Sequence, residues 1–302
     1  MLSFTSEQKV YHIGGVEIGG QPGERPTVLI GSLFFAGHRI VCDPEKGLFD
    51  EEKAKALLSK EEELSAAYGN PRFIDVMGDT TEALIRYIEF VAASTSSPIL
   101  VDSPSQTVRL ETVKYFATSE VMSRLIYNAI AEDHSDEELS LLRECGMKSA
   151  VILVFSTKAL KPEVKIKLLK EELLPAAESA GIENILIDTG ALDMPGLSWS
   201  AVAISEVKEN LGYPTGCAPA NALCTWDKMR AEGTAVFQVA ASAALALTKA
   251  EGADFILYGP MQNAPWVYPA VATTDALLAY GGRLGGMRPA TLEHPLYKIF
   301  RK

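Results

Sequence analysis

Asp75 in RFIDVMG, Asp102 in PILVDS and Asp188 in ENILIDTG share one setting: each closes, or nearly closes, a short apolar run that then breaks into a turn. Amides stand at matching places. Asn128 ends SRLIYNAI, Asn221 follows Gly216 in PTGCAPAN, and Gln262 and Asn263 follow LYGP. A single Asp after a strand is an ordinary turn or helix-cap residue. The repetition points instead to one shared rim. A carboxylate accepts two hydrogen bonds side by side, and an amide offers both a donor and an acceptor. That combination matches a flat heterocycle with adjacent N–H and NH₂ groups, such as a pterin or guanine edge. Sugar phosphates fit poorly, because no Lys or Arg stands at a strand end. A metal is not expected either: zinc sites draw on His and Cys, and neither is interleaved with these carboxylates. His38, in AGHRI, is the histidine nearest the rim and reads as an ordinary solvated side chain.

Elements that would position these residues alternate along the chain. Apolar β runs fall at 27–34, 72–78, 98–103, 123–130, 149–156, 183–190, 214–221 (a short strand at its start) and 253–260. Amphipathic stretches between and after them predict helices at 49–69, 80–94, 105–117, 135–145, 162–180, 198–212, 234–252 and 268–280. Ser135 and Glu138 have capping-box spacing. Short continuous apolar strands suit a parallel sheet buried on both faces. Eight strand–helix units predict an α/β fold, a closed (β/α)₈ TIM barrel, in a single domain over 1–302. An open doubly wound sheet is the competitor, but no G-x-G-x-x-G follows an early strand. VYHIGGVEIGG reads as an N-terminal β-hairpin turning at Gly14-Gly15, placed to close the barrel bottom. In a barrel the carboxyl ends of all strands meet at one face, which is where the polar ends would converge.

Bulk properties agree. The 302 residues are 47% hydrophobic and 22% charged, and carry a net charge of −11, which argues against a nucleic-acid partner. Four cysteines without a C-x-x-C predict neither a disulfide framework nor a zinc ribbon, and fit a cytoplasmic location. The start MLSFTSEQKV lacks a signal-peptide core. The apolar tract at 235–247 is too short to span a bilayer, so no membrane insertion is expected. Cys217 and Cys224 read as small buried side chains and Trp199, Trp226 and Trp266 as packing residues. The run AEDHSDEE reads as a solvated helix start.

The stretch KVYHIGGVEIGGQPGERPTVLIGSLFFAGHRIV followed by DPEKGLFD resembles the H-subunit family of tetrahydromethanopterin S-methyltransferase and its soluble bacterial relatives. Those relatives pass methyl groups between tetrahydrofolate and a corrinoid protein. ILVDS, IYNAI and GCAPANA resemble the same family. The resemblance implies a TIM barrel, a homodimer and a pterin held across the mouth. In plan it is similar to methyltetrahydrofolate:corrinoid/iron–sulfur protein methyltransferase and to dihydropteroate synthase. It implies pterin contacts at Asp75, Asp102, Asn128, Asp188 and Gly216, with Asn221 near N5 and Asn221 and Asp188 as the catalytic pair. It also implies tetrahydrofolate as substrate, with cobalamin carried by a partner corrinoid protein and no metal in this chain. Two alternatives stay open: a tetrahydromethanopterin-specific subunit of a larger complex, and a non-catalytic pterin-binding subunit. Two features depart from the related corrinoid/iron–sulfur enzymes: Asp102 is followed by SPSQ, and Asn221 lies further from its Gly.

Overall fold

A computed structural model describes residues 2–155 and 159–300. Eight parallel strands close on themselves in chain order. They are β1 (Val28–Leu33), β2 (Arg72–Met77), β3 (Ile99–Asp102), β4 (Leu125–Ile130), β5 (Ser149–Leu153), β6 (Asn184–Asp188), β7 (Thr215–Cys217) and β8 (Phe255–Pro260). This is the expected barrel, and closure excludes the open sheet. The expected β run at 149–156 ends at Leu153, and its Ser156 lies outside the described residues.

The strands form because their apolar runs are buried on both faces. Phe73, Leu100, Ile126, Val151 and Leu186 point into the barrel and are fully buried. Each contributes about 1.5–3 kcal/mol relative to an exposed side chain. Ile13 and Ile18 join the same interior cluster. They belong to the N-terminal hairpin, Val10–Ile13 paired with Val16–Gly19, which fills the barrel floor.

The outer layer is formed by α1 (Glu51–Tyr68), α2 (Thr81–Ser94), α3 (Gln106–Phe116), α4 (Asp136–Glu144), α5 (162–179), α6 (Met194–Leu211), α7 (Thr234–Ala250) and α8 (Ala264–Gly282). Several starts are set by local chemistry. Asp50, Thr80, Ser105, Ser135 and Asp193 each accept a backbone N–H of the first turn. Departures from the expected elements are local. The middle of α5, Leu169–Leu173, is a π-helical turn. α6 starts at Met194 rather than 198, because Asp193 caps it and Pro195 suits its first turn. β7 has three residues, and the chain then turns into short helices at Pro219–Cys224 and Asp227–Ala231. A small hairpin, Val41–Asp43 with Leu48–Phe49, precedes α1.

Strand register sets the heights of the polar ends. Ser32 pairs with Asp75, Met77 with Asp102, Asp102 with Asn128, and Asp188 with both Leu153 and Gly216. At the opposite end the buried carboxylates are neutralised. Asp254 takes Lys208 at 2.5 Å, and Asp275 takes Lys249 at 3.1 Å together with the Thr27 N–H and the Asn70 amide. That end is built for stability. Beside β1, Gly31 lies against Tyr258 of β8 and Glu61 of α1. A Cβ there would overlap the Tyr258 hydroxyl and stand 2.7 Å from the Glu61 carboxylate.

Candidate active site at the barrel mouth

The carboxyl ends of the strands surround a cavity of about 440 Å³. Asp75, Asp102, Asn128, Asp188 and Asn221 all line it. Asp75 is buried and accepts the Ser32 hydroxyl on Oδ2 at 2.6 Å, and its carboxyl stands within hydrogen-bonding reach of Asp102. Burial pushes the Asp75 carboxyl well above its usual range, and the neighbouring Asp102 charge pushes it further. Asp102 is pushed up to about 6 by burial, and Arg109, Asp75, Asn128 and the Ser103 N–H hold it from rising more. Two adjacent carboxyls of this kind hold one proton between them. The proton belongs to the pair, and burial favours its retention there.

Asp188 is buried and accepts the Gly190 N–H at 2.7 Å. Burial pushes it up to about 6, against the pull of that N–H and of Lys165. Lys165, from α5, donates to the carbonyls of Val154 and Thr189, both at 2.7 Å. Burial lowers its amine to about 8. Asp75, Asp102 and Asp188 have no lysine or arginine ion pair within 4.0 Å among the described residues, whereas Glu138 on the wall has Arg109 at 3.9 Å. The contrast with Asp254 and Asp275 marks the mouth as the place where polar groups await a ligand.

One wall adds side chains from the helices. Arg109 donates to the Ser103 carbonyl at 2.5 Å and to the Tyr127 hydroxyl at 3.1 Å. Glu138, of α4, accepts from Tyr127 and from the Gln106 amide. Asn221 sits on the rim with its residue exposed, on the short helix after β7.

The family profile described as "Tetrahydromethanopterin S-methyltransferase MtrH subunit" matches residues 6–289. The chain belongs to the MtrH family. A Methanopyrus kandleri relative, named as the H subunit of tetrahydromethanopterin S-methyltransferase, is 38% identical, over 96% of this chain and 96% of its own. A Methanothermobacter thermautotrophicus relative of the same name is 33% identical over 99% and 100%. The H subunit of a putative methyltransferase, mtx, from Methanosarcina barkeri is 34% identical over 98% and 99%. Among solved structures, dihydropteroate synthase from Xanthomonas albilineans superposes with a TM-score of 0.60 at 18% identity, covering 91% of this chain and 99% of that one. The Yersinia pestis enzyme gives 0.62 at 12%, covering 90% and 99%. At these identities the likeness is one of fold, the TIM barrel.

Within this MtrH-family barrel several expected placements change. Gly216 does not face the cavity. It lies in the wall, where a Cβ would collide with the Phe255 backbone oxygen, so its lack of a side chain serves β7–β8 approach. His38 is buried rather than solvated: its Nδ1 accepts the Phe34 N–H at 3.1 Å, its Nε2 meets the Gln262 amide at 2.6 Å, and its ring stacks on Phe35. Gln262 is thereby spent on His38. Asn263 accepts the Trp266 indole N–H, away from the mouth. Cys217 is buried as expected, but Cys224 is exposed. Trp199 is 49% exposed, not packed. Glu138 does not complete a capping box: Ser135 accepts its N–H at 3.2 Å, while its carboxylate turns into the mouth. Asp133 of the acidic run also lines the cavity. Arg109 escapes a reading of strand ends because it reaches the mouth from a helix. No helix among the described residues is long and apolar enough to cross a membrane.

Proposed function

We propose that this chain moves a methyl group between N5 of a tetrahydropterin of the tetrahydromethanopterin kind and the cobalt of a corrinoid carried by a partner protein, as one subunit of a larger methyl-transfer assembly. The tetrahydrofolate expectation gives way here, because the similar relatives bear the name of tetrahydromethanopterin and of a subunit. The observation that carries the reading is the mouth itself: Asp75, Asp102 and Asp188, none of them in a direct lysine or arginine ion pair among the described residues, beside Asn128 and a rim amide.

Asp102, ionised near neutrality, accepts the paired N–H and NH₂ of the heterocycle. The proton of the pair then rests on Asp75 and is offered to a ring acceptor, as Ser32 fixes the orientation of that carboxyl. Asn128 supplies an amide from the adjoining strand. In methyl transfer the N5–CH₃ bond breaks, the methyl carbon takes an electron pair from the partner's cobalt, and the pair of the broken bond stays on N5. That nitrogen leaves poorly unless it is hydrogen-bonded or protonated. Asn221 donates to N5 as charge develops, a contact that strengthens in the transition state. Asp188, with its carboxyl near 6, delivers the proton that N5 finally holds. The chain's remaining task is to hold the methyl in line with the cobalt.

Two copies are inferred to associate. Val236, Val239 and Leu247 on α7 and Leu277 and Tyr280 on α8 are all exposed, and α7 packs beside α8. Apolar surface of this extent supports a contact between copies.

The test is spectroscopic. The purified chain is mixed anaerobically with methylcob(III)alamin and either tetrahydromethanopterin or tetrahydrofolate, and loss of methylcobalamin absorbance is followed. Turnover with tetrahydromethanopterin supports the reading. Turnover with tetrahydrofolate alone returns the substrate to folate. Pterin binding without turnover, even with a corrinoid protein added, makes the chain a non-catalytic pterin-binding subunit.

A further inference from the structure

The mouth does not end at Asn221. Ala220, its neighbour, lines the mouth cavity and also a second cavity of about 620 Å³. This second space lies between the loop after β1, the short helix Pro219–Cys224, the start of α7 and the connection from β8 to α8. Phe35, Leu223, Phe237 and Trp266 form its apolar walls, with Arg230 and the Cys224 thiol at its edge. The aromatic walls are fastened. The Arg230 guanidinium lies 5.3 Å from the centre of the Phe237 ring and donates to the Leu223 carbonyl at 3.1 Å. The Phe35 ring stacks on His38, with centres 4.3 Å apart. Trp266 is tied to Asn263.

Covalent chemistry connects the two cavities. In any tetrahydropterin N5 and C6 are adjacent ring atoms, and the natural side chain leaves from C6. With N5 at Asn221, C6 lies one bond away, and Ala220, beside Asn221, borders both cavities. We infer that the second cavity is the subsite for an arylamine tail on C6 of the pterin substrate, its ring lying among Phe35, Phe237 and Trp266 and its anionic end reaching Arg230. This rests on the reading that places N5 beside Asn221. Aromatic walls give an aryl ring offset-stacked or edge contacts, and an arginine at the edge attracts both a π-face and a carboxylate or phosphate. A further apolar cavity, about 560 Å³ beside Trp199 and the start of α6, shares no lining residue with the mouth among the described residues. The mouth therefore reads the heterocycle, and the second cavity reads what hangs from it.

The experiment compares a tailed and a tailless probe on the full chain: tetrahydromethanopterin and 6-methyltetrahydropterin. Affinities are measured by calorimetry for the natural chain, Phe237→Ala and Arg230→Gln. Phe237→Ala is expected to weaken the tailed probe roughly tenfold more than the tailless one. A second readout leaves the cavity walls intact. In a Cys42→Ser background, alkylation of the exposed Cys224 by iodoacetamide is followed by mass spectrometry. The tailed probe at saturation is expected to slow it strongly, and the tailless probe to leave it unchanged. Equal losses for both probes, or Cys224 alkylated at an unchanged rate with the tailed probe bound, overturns the subsite while leaving a pterin in the mouth. Failure of the natural chain to bind either probe overturns the pterin reading itself.

Discussion

Lys165 of α5 donates to the backbone oxygen of Thr189, the residue immediately after Asp188, at 2.7 Å. Its second bond, to Val154, ties the end of β5 to the end of β6 beneath the mouth. Lys165→Met keeps the volume and removes both donors. Two buried carbonyls then lose their partner, and the loss of stability is expected at about 1–3 kcal/mol, read from urea unfolding. The Lys165 charge also pulls the Asp188 carboxyl down. Its removal therefore moves the Asp188 titration to higher pH, which NMR of the carboxyl carbon checks.

The mouth carboxyls oppose folding at neutral pH. Asp102 and Asp188 each sit near 6 in the fold, against an ordinary value of 3.8. Such groups hold protons in the native state that the unfolded chain has already lost. Stability is therefore greatest at low pH within this window and falls as pH rises from about 4 through 6. Asp102→Asn is expected to flatten that slope and to stabilise the chain at pH 7 on the order of 1–3 kcal/mol. It is also expected to abolish tight pterin binding. Paired urea titrations at several pH values, with calorimetry against the pterin, would show both changes, and an unchanged slope would refute the first.

Pterin affinity has its own pH dependence. On the proposed reading Asp102 accepts the heterocycle's N–H groups in its ionised form, so affinity is expected to drop as pH falls through about 6. Asp102→Asn should remove that drop along with the affinity.

In the proposed mechanism Asn221 acts on a step rather than on holding the ligand. Asn221→Ala is expected to slow methyl transfer roughly 100-fold, the usual effect of losing one donor to developing charge. Pterin affinity should change far less. A single-turnover rate compared with a binding isotherm separates the two, and a parallel loss of both would reassign Asn221 to binding.

Gly31→Ala tests the packing behind β1. The added methyl meets Tyr258 and Glu61 in a space with no slack. The expected cost is about 1–3 kcal/mol, seen as a lowered melting temperature.

Much of this barrel is legible in the sequence because its strands are continuous apolar runs with turn residues at their ends. Asp75, Asp102, Asn128 and Asp188 stand at those ends, so strand counting alone brings them to one rim. Other parts resist for definite reasons. β7 is too short to carry a pattern, and Asn221 rides on a separate six-residue helix beyond it. Arg109 and Glu138 lie on helices, where charges usually face solvent; tertiary contacts with Tyr127, Ser103 and Gln106 turn them inward. Gly216 resembles a ligand contact because a glycine permits close approach, but the group that approaches is the neighbouring strand. His38 has a polar ring, and its burial depends on a partner, Gln262, 224 positions away.

The hairpin that fills the barrel floor gives the active site one door. Ile13 and Ile18 pack into the far end, so a ligand of the mouth cavity enters and leaves on the mouth side among the described residues. On the proposed function, the partner whose cobalt exchanges the methyl group with N5 must stand over that same opening. Turnover is then compulsory in its order: the pterin is seated before the partner docks and is released only after the partner withdraws. A partner that arrives at the empty barrel blocks it, so excess corrinoid protein inhibits, and added pterin relieves that inhibition only as fast as the blocking complex dissociates.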